Sequence, residues 1–129
     1  MNFFIKKDST LPTLKISIDQ EFLDKYGITE ENMNNAAVTF SMFNVDTEEY
    51  QIANVAGKIT ARGANELWDK PKYLVEYVFK LWDTATEGNY HGEFKLDFLD
   101  VSFPMKITVP DHEYINISIF DSITKTSLC

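Results

Sequence analysis

Between Tyr90 and Phe98 the side chains alternate without a break. Tyr90, Gly92, Phe94, Leu96 and Phe98 fall on one side, and His91, Glu93, Lys95 and Asp97 on the other. A period of two with one apolar and one polar face is that of a half-buried strand, so any fold open to this chain must set this strand against a core. The same signature recurs along the sequence. Leu14, Ile16 and Ile18 alternate, as do Val38, Phe40 and Met42, and Ile115, Ile117 and Ile119 close the pattern. Asn2 to Lys6, Tyr50 to Val55 and Lys58 to Ala61 read as shorter strands. Tyr73 to Trp82 reads as the most apolar one, with Tyr73, Val75, Tyr77, Phe79 and Leu81 on its inner face. Val101 to Val109 gives a further strand, and Pro104 within it indicates an edge or a bulge.

Residues 19–35 depart from this pattern with helical signals, Arg62 to Lys72 reads as a loop, and the tail from Asp121 is polar. Asp19 stands where it can cap a short helix ending at Gly27, and Thr29 and Asn32 bracket a second weak helical turn. Turn signals roughly every 8–12 residues between strands indicate an all-β domain, a sandwich or small barrel. The polar turn before Tyr90 ends in Gly88. A tyrosine two residues after a glycine at the start of a core strand resembles the tyrosine corner of immunoglobulin-like sandwiches, and an ordinary hairpin with a buried Tyr90 is the simpler alternative. The expected fold is a single antiparallel immunoglobulin-like β-sandwich over residues 1–129, with a short helical insert near residues 19–35 and a C-terminal arm at 121–129.

Charge and composition narrow the function classes. Lys and Arg number 12 against 20 Asp and Glu, a net charge of -8, and the basic residues are scattered, which argues against a nucleic-acid partner. The single cysteine, Cys129, allows no internal disulfide and no cysteine-based zinc site. No apolar run approaches the roughly 18 residues of a membrane span. The two lysines near the start follow the apolar residues, the wrong order for a signal peptide, so synthesis in the cytoplasm is expected.

The residues that could carry chemistry are dispersed. His91 and His112 have no partner at ligand spacing and read as surface histidines, while Glu93, Asp97 and Asp100 read as the wet face of a strand. The five glycines form no phosphate loop, so no enzyme activity, cofactor or metal is expected. Trp68 is either a plug on the end of the core or an exposed contact. Trp68, Trp82 and the six tyrosines leave room for a glycan-binding adhesion module. Phe43 on the outer side of its strand, with Leu74, Val78 and Trp82 on the outer side of the most apolar one, would be apolar where a lone sandwich is wet. Either a partner covers them or the 19–35 insert does.

The opening FFIKKDSTLPTLKISI, the AAVTFSMFNVDT strand and turn, the YLVEYVFKLWDTATEGNYHGEFKLDF run and the closing INISIF strand resemble small tailed-bacteriophage virion proteins. They are similar to the N-terminal β-sandwich domain of phage baseplate upper proteins and to related neck and tail ring components. The resemblance implies a non-enzymatic structural protein of the virion. Its expected partners are portal, tail or capsid proteins and copies of itself, met through Phe43, Leu74, Val78, Trp82 and Trp68. A capsid decoration protein or a glycan-binding adhesion module is the alternative.

Overall fold

A computed structural model describes residues 1–62, 72–99, 105–111 and 113–121. The chain is mostly β. Its strands are β1 (Asn2–Lys6), β2 (Leu14–Ile18), β3 (Ala36–Asn44), β4 (Glu49–Ala56), β5 (Lys58–Arg62), β6 (Lys72–Tyr77), β7 (Gly88–Phe98), β8 (Lys106–Val109) and β9 (Ile115–Phe120). Two short helices, α1 (Gln20–Tyr26) and α2 (Glu30–Asn34), lie between β2 and β3.

The strands form two sheets. The six-stranded sheet runs β1-β9-β7-β3-β4 with β8 also paired to β7, and the three-stranded sheet runs β2-β6-β5. Strand β7 organises the larger one. One of its edges pairs with β3 along the whole length, from Ala36 opposite Phe98 to Asn44 opposite Tyr90. Its other edge is shared, with Phe94 to Asp97 pairing with β8 and Gly88 to Gly92 with β9. β8 and β9 therefore occupy successive stretches of the same edge of β7.

The expectation of a purely antiparallel structure fails at one place, because β1 runs parallel to β9, with Asn2 opposite Asn116 and Lys6 opposite Phe120. After β1 the chain turns at Asp8 to Thr13 and crosses to the other sheet instead of folding back as a hairpin, which leaves β1 to pair with the last strand. Side-chain alternation specifies which face is buried and carries no information about strand direction.

The two sheets meet in one core to which both contribute. Phe40 of β3 is fully buried; its ring stacks on Tyr77 of β6 at 4.7 Å and meets Phe94 of β7 at 4.9 Å and Phe79 at 6.1 Å. Each such side chain removed from water stabilises the fold by about 1.5–3 kcal/mol. Gly92 makes this packing possible. A Cβ there would lie 2.7 Å from Ile117 Cδ1 and 3.1 Å from the Phe40 ring, so any larger residue would force the Ile117 side chain to move and the Phe40 ring to give way. At the start of the strand, Tyr90 is buried and its hydroxyl donates to the Thr86 carbonyl at 2.8 Å. Gly88 turns the chain into β7 at φ 152°, a conformation that residues with a side chain rarely adopt.

The helices follow from their caps. Asp19 accepts from the Phe22 amide at 3.0 Å, and Gly27 ends α1 in the left-handed conformation at φ 66°. Thr29 and Asn32 cap α2 reciprocally. Leu23, Ile28 and Met33 from this insert are buried in the core. The insert thus closes part of the core and is not a lid over the exposed residues of the 78–82 turn.

One strand is shorter than its sequence pattern indicates. β6 stops at Tyr77, and Leu81 to Thr84 form a 3-10 turn. The cause is Asp83. Its carboxylate is buried and accepts from the Tyr77 hydroxyl at 2.7 Å and from the Lys80 amide at 2.9 Å, which bends the chain back on itself. Val78 and Trp82 consequently do not continue the outer face of β6, as the alternation alone suggested.

Candidate interaction surfaces

The apolar residues singled out in the sequence are distributed over separate parts of the molecule. Leu74 is half-buried on the outer face of the small sheet, between Ser17 of β2 and Thr60 of β5. Phe43 is half-buried on the outer face of the large sheet. Val78 and Trp82 belong to the turn after β6, where they are 57% and 67% exposed, and Leu81 between them is 61% exposed. Trp68, His112, Asp100 and residues 122–129 of the expected arm lie outside the described residues. Val78 and Trp82 are thus both exposed on the turn after β6, while Phe43 and Leu74 lie on different sheets.

The turn holding Val78, Leu81 and Trp82 is tied down on several sides. Beyond the Asp83 bonds, the Thr84 hydroxyl donates to the Ser9 carbonyl at 2.8 Å and the Asp8 amide to the Thr84 carbonyl at 3.0 Å. Gln51 of β4 donates to the Trp82 carbonyl at 3.0 Å. Lys80 holds its ammonium 5.7 Å from the centre of the Trp82 ring, a cation–π distance. Burial raises the Tyr77 phenol well above its ordinary value, and the hydrogen bond to the Asp83 carboxylate and its charge add to the effect. Tyr77 therefore stays protonated and keeps donating to Asp83. These bonds fix the backbone of a turn whose large apolar side chains face solvent, so little conformational freedom would be lost when a partner covers them.

A second surface crosses the outer face of the large sheet. Pairing registers place Tyr50 beside Phe43, Phe43 beside His91, His91 beside Asn116 and Asn116 beside Asn2, a single row over five strands. The Phe43 and Tyr50 rings meet edge to face at 5.3 Å, and His91 is stacked on Tyr114 at 4.7 Å with the planes 5° apart. Together with Ser41 and Glu93, these rings line a groove of about 300 Å³.

The excursion at residues 110–114 brings Tyr114 over this row. Asp111 within it accepts from the Tyr26 hydroxyl at 2.6 Å and from Lys25 at 2.7 Å. The hydrogen bond to Asp111 raises both the Lys25 and the Tyr26 pKa. A β-bulge shapes the opposite rim. Two residues of β4, Ala53 and Asn54, stand opposite Ser41, whose hydroxyl accepts from the Asn54 amide at 2.9 Å and donates to its side-chain oxygen at 3.3 Å.

Sequence reasoning singled out Phe43 and missed Tyr50, His91 and Tyr114 as its neighbours. Each sits at an outward position of its strand or loop, which alternation does reveal, but their meeting depends on register between distant strands. Among the described residues, no three His, Cys, Asp or Glu side chains group so as to hold a metal ion, and no helix is long and apolar enough to cross a membrane. Comparison of the chain with protein-family models, curated proteins and solved structures gives no match.

Proposed function

We propose that this chain is a non-enzymatic structural protein of a tailed-bacteriophage virion. In this reading it is an immunoglobulin-like β-sandwich that makes repeated contacts with copies of itself and with portal, tail or capsid proteins in a neck, tail or baseplate ring. The observation that carries the reading is the fixed turn presenting Val78, Leu81 and Trp82 to solvent. Large apolar side chains held in solvent, a Trp above all, are what a protein contact uses. Burying these three side chains would contribute about 1.5–3 kcal/mol each before the costs of association. The net charge of -8 would keep free subunits apart until the apolar surfaces meet.

Sedimentation of the purified chain over a wide concentration range, and its copurification with virion proteins, test the proposal. A discrete ring-sized oligomer or a portal, tail or capsid partner is expected, and the double substitution Val78→Ser, Trp82→Ser abolishes it while the fold persists. Unchanged assembly in that variant removes the turn from the interface. A strict monomer that binds no virion protein overturns the reading.

A further inference from the structure

We propose that the outer face of the large sheet is a carbohydrate-binding site, centred on the groove between Tyr50 and Tyr114 and taking a neutral oligosaccharide. A sugar ring presents apolar C–H faces and a rim of hydroxyls, so its site needs exposed aromatic rings beside hydrogen-bonding groups. Tyr50 and Tyr114 are 65% and 55% exposed at the groove, and His91 and Glu93 in its lining supply polar atoms.

The groove continues beyond one sugar ring. It shares Glu93 and Tyr114 with a hollow reaching Thr108, which in turn belongs to a third hollow of about 440 Å³ containing Thr39, Lys95 and Asp97. Aromatic rings at one end and a strip that carries hydrogen-bonding side chains among apolar ones along the rest fit an extended chain of sugars. The charges along the groove are mixed, with Asp111 paired to Lys25, Glu113 to the N-terminal ammonium, and Glu93 and Asp97 set against Lys95 and Lys106, a lining that selects a neutral saccharide over a strongly charged one. The polar side chains spread along the strip also separate it from the apolar 78–82 turn, which suits a protein partner. The site is formed in advance, because the stack on His91 and the anchoring of Asp111 to α1 hold the segment that carries Tyr114.

The test is a titration of the isotope-labelled chain with cellohexaose, maltohexaose and N-acetylchitohexaose, followed by amide NMR shifts. At least one saccharide should give saturable shifts centred on Tyr50, His91, Glu93 and Tyr114, with a Kd of about 1 mM or tighter. Tyr50→Ala and Tyr114→Ala should each weaken binding about five- to tenfold in a spectrum that remains dispersed, and Tyr114→Phe should retain it. No shift with any of the three, shifts centred on Val78 to Trp82, or alanine variants that bind like the parent would each overturn the proposal.

Discussion

The large sheet carries an aromatic cluster on each of its faces, and the two differ in what they do for the molecule. Against the inner face, Phe40 and Phe94 pack ring against ring with Tyr77 of β6 and with Phe79 just beyond it, all four buried. On the outer face Phe43, Tyr50, His91 and Tyr114 are also paired ring against ring, yet Tyr50 and Tyr114 remain open to water. Phe43 and Met42 are successive residues of β3, so one step along a strand separates a core position from a surface one. Ring pairing by itself therefore does not report a contribution to stability. The inner cluster stabilises through the area it removes from water, whereas exposed rings contribute little to folding and are available for a ligand.

Substitutions separate the two clusters. Phe40→Ala should have the largest effect, a loss of about 3–5 kcal/mol in urea unfolding, because the cavity lies where rings from both sheets converge. Tyr77→Phe is expected to cost about 1–2 kcal/mol by the same measurement, since the buried Asp83 keeps the Lys80 amide but loses its hydroxyl donor.

The same tyrosine sets a pH dependence. Burial raises Tyr77, Tyr73 and Tyr90 in the folded chain, with Asp83 adding to Tyr77 and the Glu30 charge to Tyr73. The unfolded chain releases these protons from about pH 10 while the folded chain retains them. Stability is therefore full below pH 10 and falls as the pH rises further, and urea midpoints should show a shallower fall in Tyr77→Phe.

Tyr90→Phe removes the part-buried hydrogen bond to Thr86 and the one with the Asn44 side chain, and should lower stability by about 1 kcal/mol. Tyr50→Ala should change it by less than about 0.5 kcal/mol. A loss as large as that of Phe40→Ala would mean that the outer cluster is a second core and would end the distinction drawn between the two faces.

Much of the inner face was legible in the sequence, because it rests on local period. Tyr90 to Phe98 alternates and is a strand, and Asp19, Gly27, Thr29 and Asn32 stand where they cap the two helices. The turn after Tyr77 was hidden by the same logic. Tyr73 to Trp82 alternates to its end, but the buried Asp83 at its foot outweighs the pattern, and only a three-dimensional partner such as the Tyr77 hydroxyl makes that burial favourable. The parallel placement of β1 and the row from Tyr50 to Asn2 were equally out of reach, since both depend on register between strands far apart in the chain. Val78 and Trp82 were singled out for an outer strand face and are exposed on a turn instead. Trp68 falls outside the described residues.

The pairing of β1 with β9 has a consequence in time. Asn2 and Asn116 are hydrogen-bonded across 114 residues, so during synthesis β1 must wait until β9 has emerged before it can pair. Until then Phe3 and Ile5, destined for the core, remain without their partners. Contacts this distant slow folding and prolong the exposure of unpaired strands. A nascent chain of this kind is vulnerable to aggregation or to a chaperone's grip until β9 has emerged to cover the edge that β1 presents.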